Sequence, residues 1–228
     1  MSNMYEDTIT WNPFKGCKFD CVYCKPSFKA QAKRQKHNCI KCYNYEPHFH
    51  PERLKQYLPK NKLIFVCGNG DIAFAKSNWV LKILDEIELR KDNTFLLQTK
   101  KPSFLLDYEY IIPSNCIVGT TIETNRDTKD ISLAPHPIDR YYSLNDIKHK
   151  RKFITHEPLI DFDLKEMVKF DKGIKPEIIW IGYNSRPKQV LLDEPKLSKT
   201  KELIKELKTF TDVRLKTIRN KKKERKHE

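Results

Sequence analysis

Short, near-continuous apolar runs recur along this chain, each followed by a polar cluster and then by a helical or polar stretch. Ile64-Phe65-Val66, Phe95-Leu96-Leu97 and Ile178-Ile179-Trp180-Ile181 lack the alternation of a strand with one wet face. Such runs suit parallel strands buried on both faces. Strands are predicted near Thr8–Trp11, Leu63–Cys67, Thr94–Thr99, Cys116–Thr121, Lys152–Glu157, Ile178–Gly182 and Val213–Lys216. Helical patterns lie at Pro51–Tyr57, Ser77–Leu89 (with Ser77 as its cap), Pro102–Tyr108, Leu164–Phe170 and Leu197–Leu207. Strand alternating with helix reads as βαβ units around a parallel sheet. The predicted fold is α/β, a partial (β/α) barrel of about six or seven parallel strands. No repeat or linker divides it, so residues 1–219 are read as one domain and 220–228 as a basic, flexible tail.

Cys17, Cys21 and Cys24 follow the first predicted strand in a C-x3-C-x2-C spacing, with Tyr23 directly before the last cysteine. Three thiolates can hold three corners of a [4Fe–4S] cube, whereas a complete protein cage needs four. The loops at the carboxyl ends of barrel strands form active sites. Gly68-Asn69-Gly70-Asp71, Gln98-Thr99-Lys100, Thr120-Thr121-Ile122-Glu123, His156-Glu157-Pro158 and Tyr183-Asn184-Ser185-Arg186 all fall at such ends. Together they predict a shared pocket.

Zinc is the competing reading. Cys21-x2-Cys24 followed by Cys39-x2-Cys42 is close to a zinc-ribbon spacing, and the segment between them is basic. That alternative is a non-enzymatic, zinc-stapled nucleic-acid-binding protein, but it leaves Cys17 unexplained. In the iron–sulfur reading, Cys39 and Cys42 bind a separate zinc with His37, His48 or His50, join an auxiliary cluster, or pack as inert thiols. His48 and His50 also read simply as partly exposed residues before Pro51. Cys67 and Cys116 read as buried hydrophobes, with Cys67 the better functional candidate. Lys100 is a second candidate for catalysis or anion contact, and Arg186 for a substrate phosphate.

The chain has 228 residues, 39% hydrophobic and 32% charged, which suits a globular protein with a polar surface. No apolar run approaches the roughly 18 residues that span a bilayer, and no secretion signal is visible. A cytoplasmic location is expected, and clustered thiols there point to metal or catalysis rather than to disulfides. The net charge is +14, of which residues 214–228 carry +6. An anionic partner is expected, nucleic acid first.

Several blocks in order resemble the radical S-adenosylmethionine (SAM) superfamily, and within it a phage-associated branch distantly similar to spore photoproduct lyase. They are Thr10-Trp11-Asn12-Pro13 with the cysteine motif, Pro47 to Leu54, Leu97 to Pro102, Val118 to Glu123 and Glu157-Pro158-Leu159-Ile160. The resemblance implies that Cys17, Cys21 and Cys24 ligate a [4Fe–4S] cluster whose open iron binds SAM. It implies that Tyr23 lies near the adenine and that Gly68, Asn69, Gly70 and Asp71 form the loop meeting the methionine amino group. Asp71 stands where many members carry Glu, and Asn69 interrupts the glycine pair. Thr99, Thr121, Glu123 and Glu157 become candidates for the rest of SAM. The implied chemistry is reductive cleavage of SAM to a 5′-deoxyadenosyl radical that activates a C–H bond. An electron donor such as a flavodoxin or ferredoxin follows from it.

Overall fold

The computed structural model describes residues 8–219. The expected tail at 220–228 lies outside the described residues. From the amino end, β1 (Thr8–Trp11) leads into the short strand β2 (Phe14–Lys15) and the cysteine loop. Helical turns from Val22 to Gln35 follow, including the single turn α1 (Ala30–Ala32), then α2 (Ile40–Asn44) and β3 (His48–Phe49). β3 folds back antiparallel on β2, pairing Phe14 with Phe49 and Lys15 with His48. The chain continues through β4 (Leu63–Val66), α3 (Ser77–Glu88), β5 (Thr94–Gln98), β6 (Cys116–Thr121), α4 (Pro137–Asp146) and β7 (Lys152–His156). It ends in α5 (Leu164–Ile174), β8 (Ile178–Gly182), α6 (Leu197–Leu207) and β9 (Asp212–Lys216).

Seven strands form one sheet in the order β1-β4-β5-β6-β7-β8-β9, every neighbouring pair parallel. Parallel pairing in chain order sends every connection back to the same end, so all seven carboxyl ends share one rim. The sheet curls into the expected partial barrel.

The apolar runs fill both faces. Ile64, Val66, Phe95, Leu97, Val118, Ile154, Ile179 and Ile181 face outward and pack against Val80, Ile83 and Ile87 of α3, Met167 of α5 and Leu203 of α6. Their neighbours Phe65, Leu96, Ile117, Phe153, Ile178 and Trp180 form a second, inner cluster. A Cβ on Gly119 would come within 2.5 Å of the Phe153 ring, so glycine lets that ring lie across β6.

Three helical expectations are corrected. Ser77 is not the cap of α3; Lys76 holds that position without a side-chain cap bond, and the helix is held by its buried face. Pro51–Lys55 and Pro102–Tyr108 are 3-10 rather than α-helical. Helix α4 has no counterpart among the predicted elements, because its buried face, Pro137, Arg140 and Leu144, contains an arginine that breaks the apolar stripe. Phe153→Ala removes a fully buried ring from the inner cluster and is expected to cost about 3–5 kcal/mol, read from the urea unfolding midpoint; a loss below about 1 kcal/mol would contradict that packing.

Candidate active site

The cysteine loop begins where β1 ends and is clasped to the loop after β4. Gly16 N–H donates to the Asn69 carbonyl at 3.0 Å, and Asp71 N–H donates to the Gly16 carbonyl at 3.1 Å. The two backbones lie so close that a Cβ on Gly70 would be 2.7 Å from Gly16 N and O. Gly16 has φ +88° and backs onto the Glu46 carbonyl, which a Cβ would approach to 2.1 Å. Only glycine fits there. Asn69, the departure from a glycine pair, serves the clasp through its backbone, and its N–H donates to Asn12 Oδ1 at 3.0 Å. The predicted cluster loop and the predicted SAM loop are thus one bonded unit.

Cys21 is buried, while Cys17 and Cys24 are partly exposed. Phe19 N–H points at Cys17 Sγ (3.4 Å), and the Ser132 hydroxyl lies 3.1 Å from Cys21 Sγ. A hydrogen bond from Cys24 draws the Cys21 thiol down to about 6, with help from the Lys100 charge. Burial, and then the nearby Asp71, pushes the Cys17 thiol up. That same bond to Cys21, and then burial, pushes Cys24 up. The N–H, O–H and ammonium groups beside these crowded thiols favour the thiolate form that metal ligation requires. The other four cysteines lie elsewhere. Cys39 and Cys42 belong to a separate group with His48 and His50, and Cys67 and Cys116 are in the core. The donor set therefore fits a cluster with one iron left without a protein thiolate.

Alternation divides each strand-end cluster between the pocket and the outer layer. Gln98 Nε2 donates to Thr121 Oγ1 at 2.7 Å and to Thr155 Oγ1 at 3.2 Å, a polar layer inside the barrel. Beyond it, Lys100 Nζ reaches both the Tyr23 hydroxyl and Glu123 Oε1. The Tyr23 hydroxyl donates to the same Oε1 at 2.5 Å. Arg140, fully buried, donates to Glu123 Oε2 at 2.7 Å and to the Thr121 carbonyl at 2.6 Å. Burial opposes ionisation of Glu123, but Arg140 and then Lys100 outweigh it and hold the carboxyl at about 2. Glu157 pairs with Lys216 at 2.9 Å. Its second oxygen is buried with no partner among the described residues, and burial pushes its carboxyl up. A buried orphan acceptor on this rim fits an ammonium group such as that of SAM.

Other expected site residues point away. Thr99 Oγ1 donates to Asp71 Oδ1 at 2.6 Å, and Lys100 N–H and Ala73 N–H donate to the same carboxylate. Asp71 is thus occupied in tying the β4 and β5 loops together; burial outweighs those bonds and lifts it to about 6. His156 faces α5, bonded to the Ile122 carbonyl and Asp171. The Tyr183 hydroxyl bonds Thr200 of α6. Cys67, a candidate for catalysis, sits in the outer core and is raised to about 12 by burial. Arg186 is exposed. The zinc-ribbon pairing of Cys21 and Cys24 with Cys39 and Cys42 is not built, because the latter pair converges on histidines instead; His37 is not in that group. Sequence reasoning missed Arg140 and Tyr45, whose hydroxyl burial and the three thiols push well up. Pro137 before a mixed Ile138-Asp139-Arg140 turn was the available sign of α4.

The parallel half barrel matches the fold of solved radical SAM enzymes. The chain is similar to spore photoproduct lyase in a mutant carrying dinucleoside spore photoproduct, with a TM-score of 0.67 and 9% identity over 95% of this chain and 79% of that one. A further mutant of that lyase, with bound AdoMet and dinucleoside spore photoproduct, gives 0.61 and 10% over 90% and 75%. Streptococcus suis SuiB bound to precursor peptide SuiA gives 0.54 and 10% over 92% and 49%. No curated protein sequence matches the chain. Residues 4–190 match the family described as "Protein of unknown function (DUF5131)", and the chain belongs to that family.

The Glu123 network sets a pH dependence. Its folded value, about 2, lies below the ordinary 4.5, so its stabilisation is full above pH 4.5 and is lost as the pH falls toward 2. The difference is about 3 kcal/mol. Urea midpoints across that window should fall steeply for the wild type and less so for Glu123→Gln; parallel curves would contradict the assignment.

Proposed function

We propose that this chain is a radical SAM enzyme, of the phage-associated branch its ordered blocks resemble, acting on nucleic acid. The observation that carries this reading is the clasp joining the three-cysteine loop to the Gly68–Asp71 loop, on the rim where Lys100, Glu123 and Tyr23 meet. Cys17, Cys21 and Cys24 would hold a [4Fe–4S] cluster. Tyr23, Thr121, Glu123, Glu157 and the backbone of residues 68–71 would hold SAM. When bound, the two supply a 5′-deoxyadenosyl radical for C–H activation.

The chain's own residues supply the orientation. The Gly16–Gly70 contact fixes the separation of the two binding loops. Asp71, bridging Thr99 and Lys100, fixes the β4 loop against β5. Arg140 keeps Glu123 ionised and leaves its other oxygen to Lys100 and Tyr23. The Phe65, Phe153 and Trp180 rings are buried in the inner cluster of the barrel. Thr99 contributes to this frame through Asp71.

A nucleic-acid substrate is supported by the net charge of +14 and by neighbours that hold a dinucleoside photoproduct. A flavodoxin- or ferredoxin-type donor in the cytoplasm would supply the electron. Among the described residues no helix is long and apolar enough to cross a membrane. Dithionite-reduced, reconstituted protein should convert SAM to 5′-deoxyadenosine, measured by chromatography. Cys17→Ala, Cys21→Ala and Cys24→Ala should each drop to the level of a protein-free control. Undiminished turnover in any of the three would sink the assignment.

A further inference from the structure

Residues 39–50 carry a second convergence of metal-binding atoms, apart from the three-cysteine loop. The ligand atoms of Cys39, Cys42, His48 and His50 all lie within 4.8 Å of one another. His48 Nε2 is 3.4 Å from Cys39 Sγ and 3.3 Å from Cys42 Sγ, and His50 Nε2 is 3.2 Å from Cys42 Sγ. A tetrahedral zinc with its usual Zn–S and Zn–N bonds sets sulfur and nitrogen about 3.5 Å apart. Both rings have their other nitrogen turned outward and engaged. His48 Nδ1 is 2.7 Å from the Glu46 carbonyl, and His50 Nδ1 is 2.8 Å from Glu52 Oε1. Those bonds fix each ring with Nε2 aimed inward as a ligand, the outer-shell arrangement of zinc-bound histidines. Cys42 N–H points at Cys39 Sγ (3.4 Å), a further support for a thiolate.

We propose that Cys39, Cys42, His48 and His50 bind one structural zinc ion, and that this ion fixes the platform on which Gly16 and Cys17 rest. Four protein ligands close the coordination sphere, which marks a structural rather than a catalytic site. The two thiols release their protons to solvent on binding, giving an overall neutral centre. A two-iron cluster with two histidines would hold the imidazoles on one iron and the thiolates on the other. Here each imidazole nitrogen touches a thiol sulfur, so the four atoms surround one point.

The mechanical connection runs through the backbone. His48 pairs with Lys15 across β2 and β3. His50 N–H donates to the Pro13 carbonyl at 2.7 Å, and Cys17 N–H to the Tyr45 carbonyl at 3.4 Å. The two-residue strands are too short to hold this hairpin unaided. Tyr45, in the left-handed region at φ +59°, turns the chain between the cysteine pair and the histidine pair.

The test is metal analysis of the full chain, purified anaerobically, with cobalt(II) as the spectroscopic stand-in. About one zinc per chain is expected in the wild type and in a Cys17→Ala/Cys21→Ala/Cys24→Ala triple variant. Cys42→Ser should lose it. Cobalt should show the intense visible bands of a tetrahedral thiolate–imidazole site. If Cys42→Ser does not fold, His50→Cys keeps a four-ligand set and should keep zinc. Glu52→Gln should weaken zinc about tenfold in chelator competition. Zinc lost from the triple variant but kept in Cys42→Ser, octahedral cobalt, or iron at this group would each overturn the site. Removing zinc from the wild type should speed amide exchange at Cys17 and His50 at least about tenfold; unchanged exchange would overturn the platform role.

Discussion

Two backbones meet at Gly16 and Gly70 more closely than any side chain permits, and the site is built outward from that contact. The clasp exists because β1 and β4 are adjacent and parallel, which delivers their following loops to the same rim. Gly16 is constrained from two sides, by its left-handed φ and by the Glu46 carbonyl behind it. The cysteine loop is therefore wedged between the Gly68–Asp71 loop and the 39–50 segment. Backbone contacts hold the start of that loop, and the buried Phe14, Phe19 and Cys21 side chains anchor it further.

The second determinant is electrostatic. A fully buried Arg140–Glu123 pair beneath the pocket is costly to desolvate and strongly destabilising to break on one side only. Its value here is directional: Glu123 presents one oxygen to Arg140 and the other to Lys100 and Tyr23. Charge is thus fixed at the rim before any ligand arrives, the preorganisation that catalysis in a dry site requires. Asp71 performs a similar task with neutral donors, and burial, which those donors only partly offset, lifts it to about 6.

Much of this was legible in the residues, because strands buried on both faces advertise themselves as unbroken apolar runs. Ile178 to Ile181 served the inner and outer cores alternately, as such a run requires. The strand-end clusters were legible as a set but not residue by residue. Gln98, Lys100, Thr121 and Glu123 turn inward, whereas Thr99 and His156 turn outward, and a shift of one position decides between pocket and packing. Arg140 was hidden because a buried cation in a helix erases the apolar stripe by which helices are read. His48 and His50 could be weighed as ligands, but their meeting with Cys39 and Cys42 depends on a hairpin of two-residue strands that has no pattern of its own.

The most direct test of the account is electron paramagnetic resonance of the reduced, reconstituted protein with and without SAM, alongside iron and sulfide analysis. About four irons and four sulfides at the three-cysteine loop are expected, with a cluster signal that changes when SAM is added, because one iron lacks a protein thiolate. A cluster signal indifferent to SAM, or a protein that takes up no cluster under reconstitution, would contradict the open-iron site on which the functional reading stands.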